Sequence, residues 1–475
     1  MTMLLRRCVV LAVAAAFVIA VTPRVVVHAA TQFQVNASDD APDAHPGDGV
    51  CATAAGTCTL RAALQEAAPA SGPVEVAVPA GTYAIGGEAV ALGGAVTLTG
   101  AGAATTTVHI TASRGFDLTG GSLHVSGLTL QGSNTAGAGA AVLRAQDSDV
   151  TLSNCVVSGA VADGDGGAIL TSGGTLSLDH TQLRSNVGQS GGSVFALRSA
   201  ISITSSTFDS DTATTDGGAV FLSDPSSVHI ADTTFTGNTA SGKGGSIYLV
   251  GLAGGAGADN SITSSPFQGN VAFDAGGALY VQSTSDGTAD APLHVTSSTF
   301  SGNTASRGGA IASAAGVVSV EGSTFSNNRS ASGDGGAIAG TGALTVQGSS
   351  FDHNTSDSSG GAIWAAGNAD ISGSNFTANA AATLGGALAL TGQTVPSVRS
   401  LKLSANSALD GQPDIWREGS GVVTASGAHN SSAATKNAVS PVIVAAGAAV
   451  LAVVLLTVVV LRRRSRGVTK PPAQS

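Results

Sequence analysis

Short runs of the chain alternate apolar and polar residues with a period of two, as in "LTVQGSSF" (344–351). That period belongs to strands with one buried face. One apolar column reads Ile169, Val194, Val220, Ile247, Leu279, Ile311, Ile338, Ile363 and Leu388. A second reads Leu183, Phe208, Phe235, Phe267, Phe300, Phe325, Phe351 and Phe376. Five residues before each of these stands Leu178, Ile203, Ile230, Ile262, Val295, Val320, Val346 or Ile371. Nothing in these stretches has the period or length of a helix.

Glycine pairs punctuate the strands at 166–167, 191–192, 217–218, 244–245, 276–277, 308–309, 335–336, 360–361 and 385–386. A return every 25 to 32 residues predicts a solenoid. Each repeat supplies about three short strands and three turns. Strands that come back to the same place stack in parallel, about 4.8 Å apart. The expected fold is all-β, a right-handed parallel β-helix of the pectin-lyase-like kind. About 13 coils between residues 75 and 425 would make a rod of roughly 60 Å at that spacing. The glycine pairs fit corners, where backbone angles closed to other residues are needed. The phenylalanines are expected to stack inside. Asn238, Asn270, Asn303, Asn328, Asn354 and Asn379, each three residues after a phenylalanine, are expected as a structural ladder that bonds turn backbone and takes left-handed conformations, with Asp211 as a substitute.

The ends read differently. Arg6 and Arg7 precede an uncharged apolar run, Cys8–Val21, and a small-residue site at 27–29, the pattern of a secretory signal. Residues 442–461 carry no charge and are long enough to span a bilayer, and Arg462, Arg463, Arg464 and Arg466 follow. The expected organisation is a signal peptide (1–30), a disulfide-containing cap (31–73), the β-helix (74–429), a linker (430–441), a transmembrane helix (442–461) and a basic cytoplasmic tail (462–475). The implied location is the cell membrane, single-pass, with the N-terminal part outside.

Composition narrows the partners. All 30 acidic residues lie in 31–437, against 12 Lys and Arg there, so no basic patch for nucleic acid is visible. Cys51 and Cys58, separated by six residues in a secreted segment, are expected to form a disulfide, which leaves Cys155 as a buried small hydrophobe.

The GGA[ILV] and Phe-x-x-Asn motifs, recurring in register over about 165–406, resemble the polymorphic outer-membrane protein repeats of chlamydiae. That resemblance implies a surface-exposed β-helix, often linked to adhesion. The chain departs from the family at its C-terminus, with a single helix in place of an autotransporter barrel. "GDGVCATAAGTCTLRAALQEA" (47–67) is similar to the C-S-L-R-E-A element of secreted bacterial β-helix proteins, matched at Cys51, Cys58, Leu60, Arg61 and Ala62. "VPAGTYAI" (78–85) follows it as in those proteins, and 411–432 is similar to their terminal segment. Residues 63–66 then read as a short helix capping the open end of the solenoid.

Parallel β-helices also carry polysaccharide lyases and hydrolases, whose sites need clustered carboxylates with basic neighbours. The column before the glycine pairs mixes Asp165, Asp216, Lys243, Arg307 and Asp334 with neutral residues. Asp216 with Lys243, and Arg307 with Asp334, read as surface pairs of small worth. Asp163 and Asp165, or the loop with Asp39, Asp40, Asp43 and Asp48, read as solvated turns, with calcium binding as the alternative. No catalytic residue, metal site or cofactor is assigned. Sequons at Asn36, Asn328, Asn354, Asn375 and Asn430 matter only in a glycosylating host.

One column points to binding. Phe195, Phe221, Tyr248 and Tyr280 follow buried positions, so alternation turns them outward as an aromatic strip about 14 Å long. Exposed aromatic strips mark binding of glycan or protein. The longer repeats place "GLAGGAGADN" (251–260) and "STSDGTADAP" (283–292) beside it, either framing the strip or folding over it. The leading function is non-catalytic adhesion or recognition at the cell surface. The alternative is a polysaccharide-active enzyme, lyase or glycoside hydrolase, on the same fold.

Overall fold

The computed structural model describes residues 30–70, 72–132, 134–135, 139–252, 260–284, 291–392, 397–409 and 414–418. The signal segment, the linker, the segment 442–461 and the basic tail lie outside the described residues, apart from Ala30. Among the described residues no helix is long and apolar enough to cross a membrane.

The fold is a right-handed parallel β-solenoid of about 12 turns, close to the 13 expected. The coil that begins at Gly217 shows the plan. Val220–Ser223 and Ser227–Ala231 lie in a 25-stranded sheet, Thr234–Thr236 in a 13-stranded sheet and Thr239–Ala240 in an 11-stranded one. Every pairing between these strands is parallel and in register, as in Phe208↔Phe235 and Phe235↔Phe267. The expected three strands per coil become four. The first two run on as single 11-residue strands at Leu143–Ser153 and Ile169–Asp179, with left-handed residues, Asp147 in one and Gly173 and Gly174 in the other, between their halves.

The glycine pair has two separate causes. Gly217 takes φ +66°, the left-handed region that favours glycine. Gly218 lies so near the next coil that an added Cβ would run into the Gly245 carbonyl. The pair turns the corner with its first member and lets coils approach with its second.

Inside, the phenylalanines stack coil on coil. Ring centroids from Phe208 to Phe376 are 4.7–4.9 Å apart with planes within 7°, and every ring is 0% exposed. The spacing is the strand spacing itself, so in-register pairing sets the ring separation. Beside the rings run two polar ladders. In the first, each asparagine Nδ2 donates to the carbonyl of the preceding phenylalanine and to the next asparagine's Oδ1; Asn303 does so at 3.0 Å to Phe267 and 2.9 Å to Asn328. Each backbone N–H also donates to the next Oδ1, as Asn270 does to Asn303 at 3.0 Å. Corner N–H groups that cannot reach backbone partners are thereby satisfied, which buried donors require. Asn186 and Asn406 extend this ladder at its ends. They follow Leu183 and Leu403, so the same three-residue spacing marks them once leucine is allowed in the aromatic column.

The left-handed conformation expected of the asparagines falls one residue earlier, at Ser210, Gly237, Gly269, Gly302, Asn327, His353 and Ala378. That residue makes the turn and swings the next side chain inward, so the asparagine is a buried bonding group instead of a turn former. Asn328 and Asn354 are 0% exposed, so these two sequons are closed to modification in the folded chain.

The second ladder was not read from the sequence. The hydroxyls of Ser206, Thr233, Ser265, Ser298, Ser323, Ser349 and Ser374 each accept the N–H of the coil before, at 3.1–3.3 Å. Cys155 heads this column, and its thiol donates to the Ser153 carbonyl at 3.2 Å. Burial pushes its pKa up, which makes it an inert core thiol.

The N-terminal cap is built around one helix, α1 (Leu60–Ala67), longer than the four residues expected. Thr59 caps it, its Oγ1 accepting from the Ala62 N–H at 3.0 Å. Arg61 pairs with Asp40 at 2.7 Å and donates to the carbonyls of Gly86 and Glu88. Cys51 and Cys58 form the disulfide. The first strand, Thr31–Gln34, pairs in parallel with Val74–Val78, so the sheet already begins inside the segment assigned to the cap.

Candidate functional site

The outer aromatic row exists and is in register: Phe195↔Phe221, Phe221↔Tyr248 and Tyr248↔Tyr280. It lies on the 25-stranded sheet, one position beyond the buried aliphatic column. Centroid separations are 5.0, 4.7 and 5.1 Å, so the rings stack face to face and turn their edges outward. The row is less open than alternation alone implies. Phe195 and Phe221 are half-buried, whereas Tyr248 is 8% and Tyr280 5% exposed. Each ring covers the faces of its neighbours, and Val250, Ala275 and Ala312 pack on the tyrosine end. The adjoining segments 253–259 and 285–290 lie outside the described residues.

Polar groups fix the tyrosine end. Tyr248 donates its hydroxyl to Gln282 Oε1 at 2.8 Å. Burial pushes its pKa up to about 12, helped by Asp216 and Tyr280. Lys243 Nζ sits 5.0 Å from the Tyr280 ring centre and 3.8 Å from Asp274. Beyond Tyr280 the column continues through Ala312 and Ala339 to Trp364, then Ala389 and Trp416. The Arg307 guanidinium lies 4.3 Å from the Trp364 ring centre, reaching across the coil that holds Ala339. Trp416 extends the aromatic column by a coil that the sequence reading did not include; the regular column offset marks it.

The surface pairs read from the column before the glycines form differently. Asp216 Oδ1 accepts the Lys243 backbone N–H at 2.7 Å, and Asp334 Oδ1 accepts the Ser359 N–H at 3.0 Å. Asp165 does the same to Ser190 at 3.2 Å. A carboxylate at this corner reaches the next coil's backbone more easily than its side chain. The Lys243 ammonium therefore goes to Asp274, and Arg307 goes to Trp364.

In the acidic turns most carboxylates are already engaged by backbone N–H groups or by Arg61. Asp43 accepts from the N–H groups of His45 and Ala52, Asp48 from Val50, and Glu66 from Gly47 and Gly49. Asp40 is held by Arg61 and the Gly86 N–H. Among the described residues no group of three His, Cys, Asp or Glu could hold a metal ion. Asp179 is half-buried, with its pKa lowered by hydrogen bonds from His180 and Thr204. Its pairing with the adjacent His180, and that of Asp352 with His353, are neighbour contacts on the surface.

Four stretches, 232–249, 297–314, 322–341 and 348–366, match the family described as the Chlamydia polymorphic membrane protein (Chlamydia_PMP) repeat. No curated protein matches the chain. Among solved structures, the A-module of mannuronan C-5 epimerase AlgE6 from Azotobacter vinelandii is similar at 14% identity and a TM-score of 0.43, over 77% of this chain and 93% of that one. The AlgE4 A-module from the same organism gives 16% and 0.37, over 81% and 98%. The catalytic unit of a GH87 α-1,3-glucanase from Streptomyces thermodiastaticus gives 14% and 0.33, over 73% and 64%.

Proposed function

We propose that the protein is a cell-surface adhesion or recognition protein that binds without catalysis, and that the outer aromatic row is its contact surface. The polymorphic membrane protein repeats support a surface protein. The observation that carries the binding role is the row itself: four in-register aromatic rings on the outer side of the sheet, with Lys243 at one end. Half-buried Phe195 and Phe221 give it apolar edges for a glycan or protein ligand. In this reading residues 1–30 direct secretion, 430–441 link the rod to the membrane, and 442–461 anchor it.

The purified full chain, tested on a glycan array and on cells, is expected to bind and to release no saccharide. Phe221→Ser is expected to abolish binding while lowering the stability of the fold by only about 1 kcal/mol. Unchanged binding in that variant would sink the assignment of the surface. Release of new chain ends from a polysaccharide would instead make the protein an enzyme.

A further inference from the structure

One step of the asparagine ladder has no amide. Asp211 lies between Asn186 and Asn238, fully buried. Its Oδ1 accepts the Asn186 N–H at 2.9 Å, and its own N–H donates to Asn238 Oδ1 at 2.9 Å, as in every other step. Its Oδ2 has no hydrogen-bond partner. In the two steps that follow, the equivalent atom is Nδ2, which donates to the preceding aromatic-column carbonyl and to the next Oδ1, while in the step before, Asn186 Nδ2 donates to the Val157 carbonyl and to the Ser193 hydroxyl. For Asp211 those two acceptors are the Leu183 carbonyl and Asn238 Oδ1. A carboxylate there would set acceptor against acceptor in a dry interior, a cost that a proton removes.

We propose that Asp211 is held as a neutral carboxylic acid whose O–H replaces the ladder amide, so that this coil is a pH-sensitive joint in the rod. The groups packed on it from the coils before and after, Asn186, Ser193 and Asn238, carry no charge. The charged neighbour is Asp209, two residues earlier on the same coil at the end of the strand Thr207–Asp209, with Arg184 in register beside Asp209 on the preceding coil. Burial pushes the Asp211 pKa up to about 7, against the hydrogen bonds from Asn186 and Ser193 that favour the anion. In the unfolded chain an aspartic acid titrates at about 4. Between these values the folded state keeps a proton that the unfolded state has lost. The contribution is therefore complete below about pH 4 and is lost as pH rises through about 7.

The test compares the full chain with Asp211→Asn, which restores the amide and suits the ladder. At about pH 8.5 the variant should melt a few degrees above the wild type, and the gap should narrow as pH falls toward about 5. Infrared difference spectra between the two should show a protonated carboxyl band in the wild type at about pH 6 that fades with a midpoint near 7. Absence of that band, or a melting gap independent of pH, overturns the proposal. Asp209→Asn should keep the pH dependence with a lower midpoint; its loss in that variant would assign the effect to Asp209 and overturn the proposal equally.

Discussion

Two stacks of aromatic rings run along this molecule with nearly the same geometry and opposite surroundings. The inner stack, Phe208 to Phe376, has centroids 4.7–4.9 Å apart and is wholly buried, flanked by the asparagine ladder. The outer stack, Phe195 to Tyr280, has centroids 4.7–5.1 Å apart on the outer face of the 25-stranded sheet, a different wall from the 13-stranded sheet that carries the inner stack, and it stops at Ala312. Ring spacing therefore follows from in-register strands and says nothing about role. What separates the stacks is what closes them. The inner one is sealed by polar ladders that leave it no edge, while the outer one keeps two half-buried rings.

The sharpest way to break the comparison is to cut one ring from each. Phe300→Ala should cost about 3–5 kcal/mol, because the neighbouring coils cannot collapse into the gap. Denaturant unfolding of the full chain measures it, and a loss below about 1 kcal/mol would contradict a continuous inner stack. Asn303→Ala should follow at about 2–3 kcal/mol, since it strips donors or acceptors from the Phe267 carbonyl and the Asn270 N–H. Phe221→Ser should cost only about 1 kcal/mol, the scale of aromatic stacking at a half-wet site. A loss as large as that of Phe300→Ala would mean that the outer stack too is core, shielded by its neighbouring loops.

The smallest effect belongs to Tyr248→Phe, which removes the hydrogen bond to Gln282 and should cost about 0.5–1 kcal/mol at neutral pH. Its signature is alkaline. The folded pKa of about 12 lies above the ordinary value of 10, so the tyrosine's contribution is intact below about pH 10 and is lost as pH rises through about 12. The phenylalanine variant should lack that alkaline decline, and identical alkaline unfolding of the two proteins would refute the burial of the hydroxyl.

Several features are legible in the amino-acid sequence. The column of phenylalanines, the period of the glycine pairs and the cap cysteines all appear in the structure where the spacing put them. Each is a short-range signal repeated many times, and repetition in a solenoid multiplies a weak local preference into a firm one. The hydroxyl ladder was illegible because Ser and Thr crowd every turn of this chain, so its column carries no contrast. The partners of Lys243 and Arg307 were equally hidden. Sequence offsets align Arg307 with Asp334, yet the backbone N–H of Ser359 claims that carboxylate first.

The sequence alone determined the winding: a two-residue alternation gathered into coils by glycines where a side chain would strain the turn or strike the next coil. Only the tertiary structure decided which side chains remain available. Burial of Tyr248 and Tyr280, and the missing partner of Asp211, depend on what the adjacent coils place within a few ångströms, and one coil's sequence does not contain its neighbours.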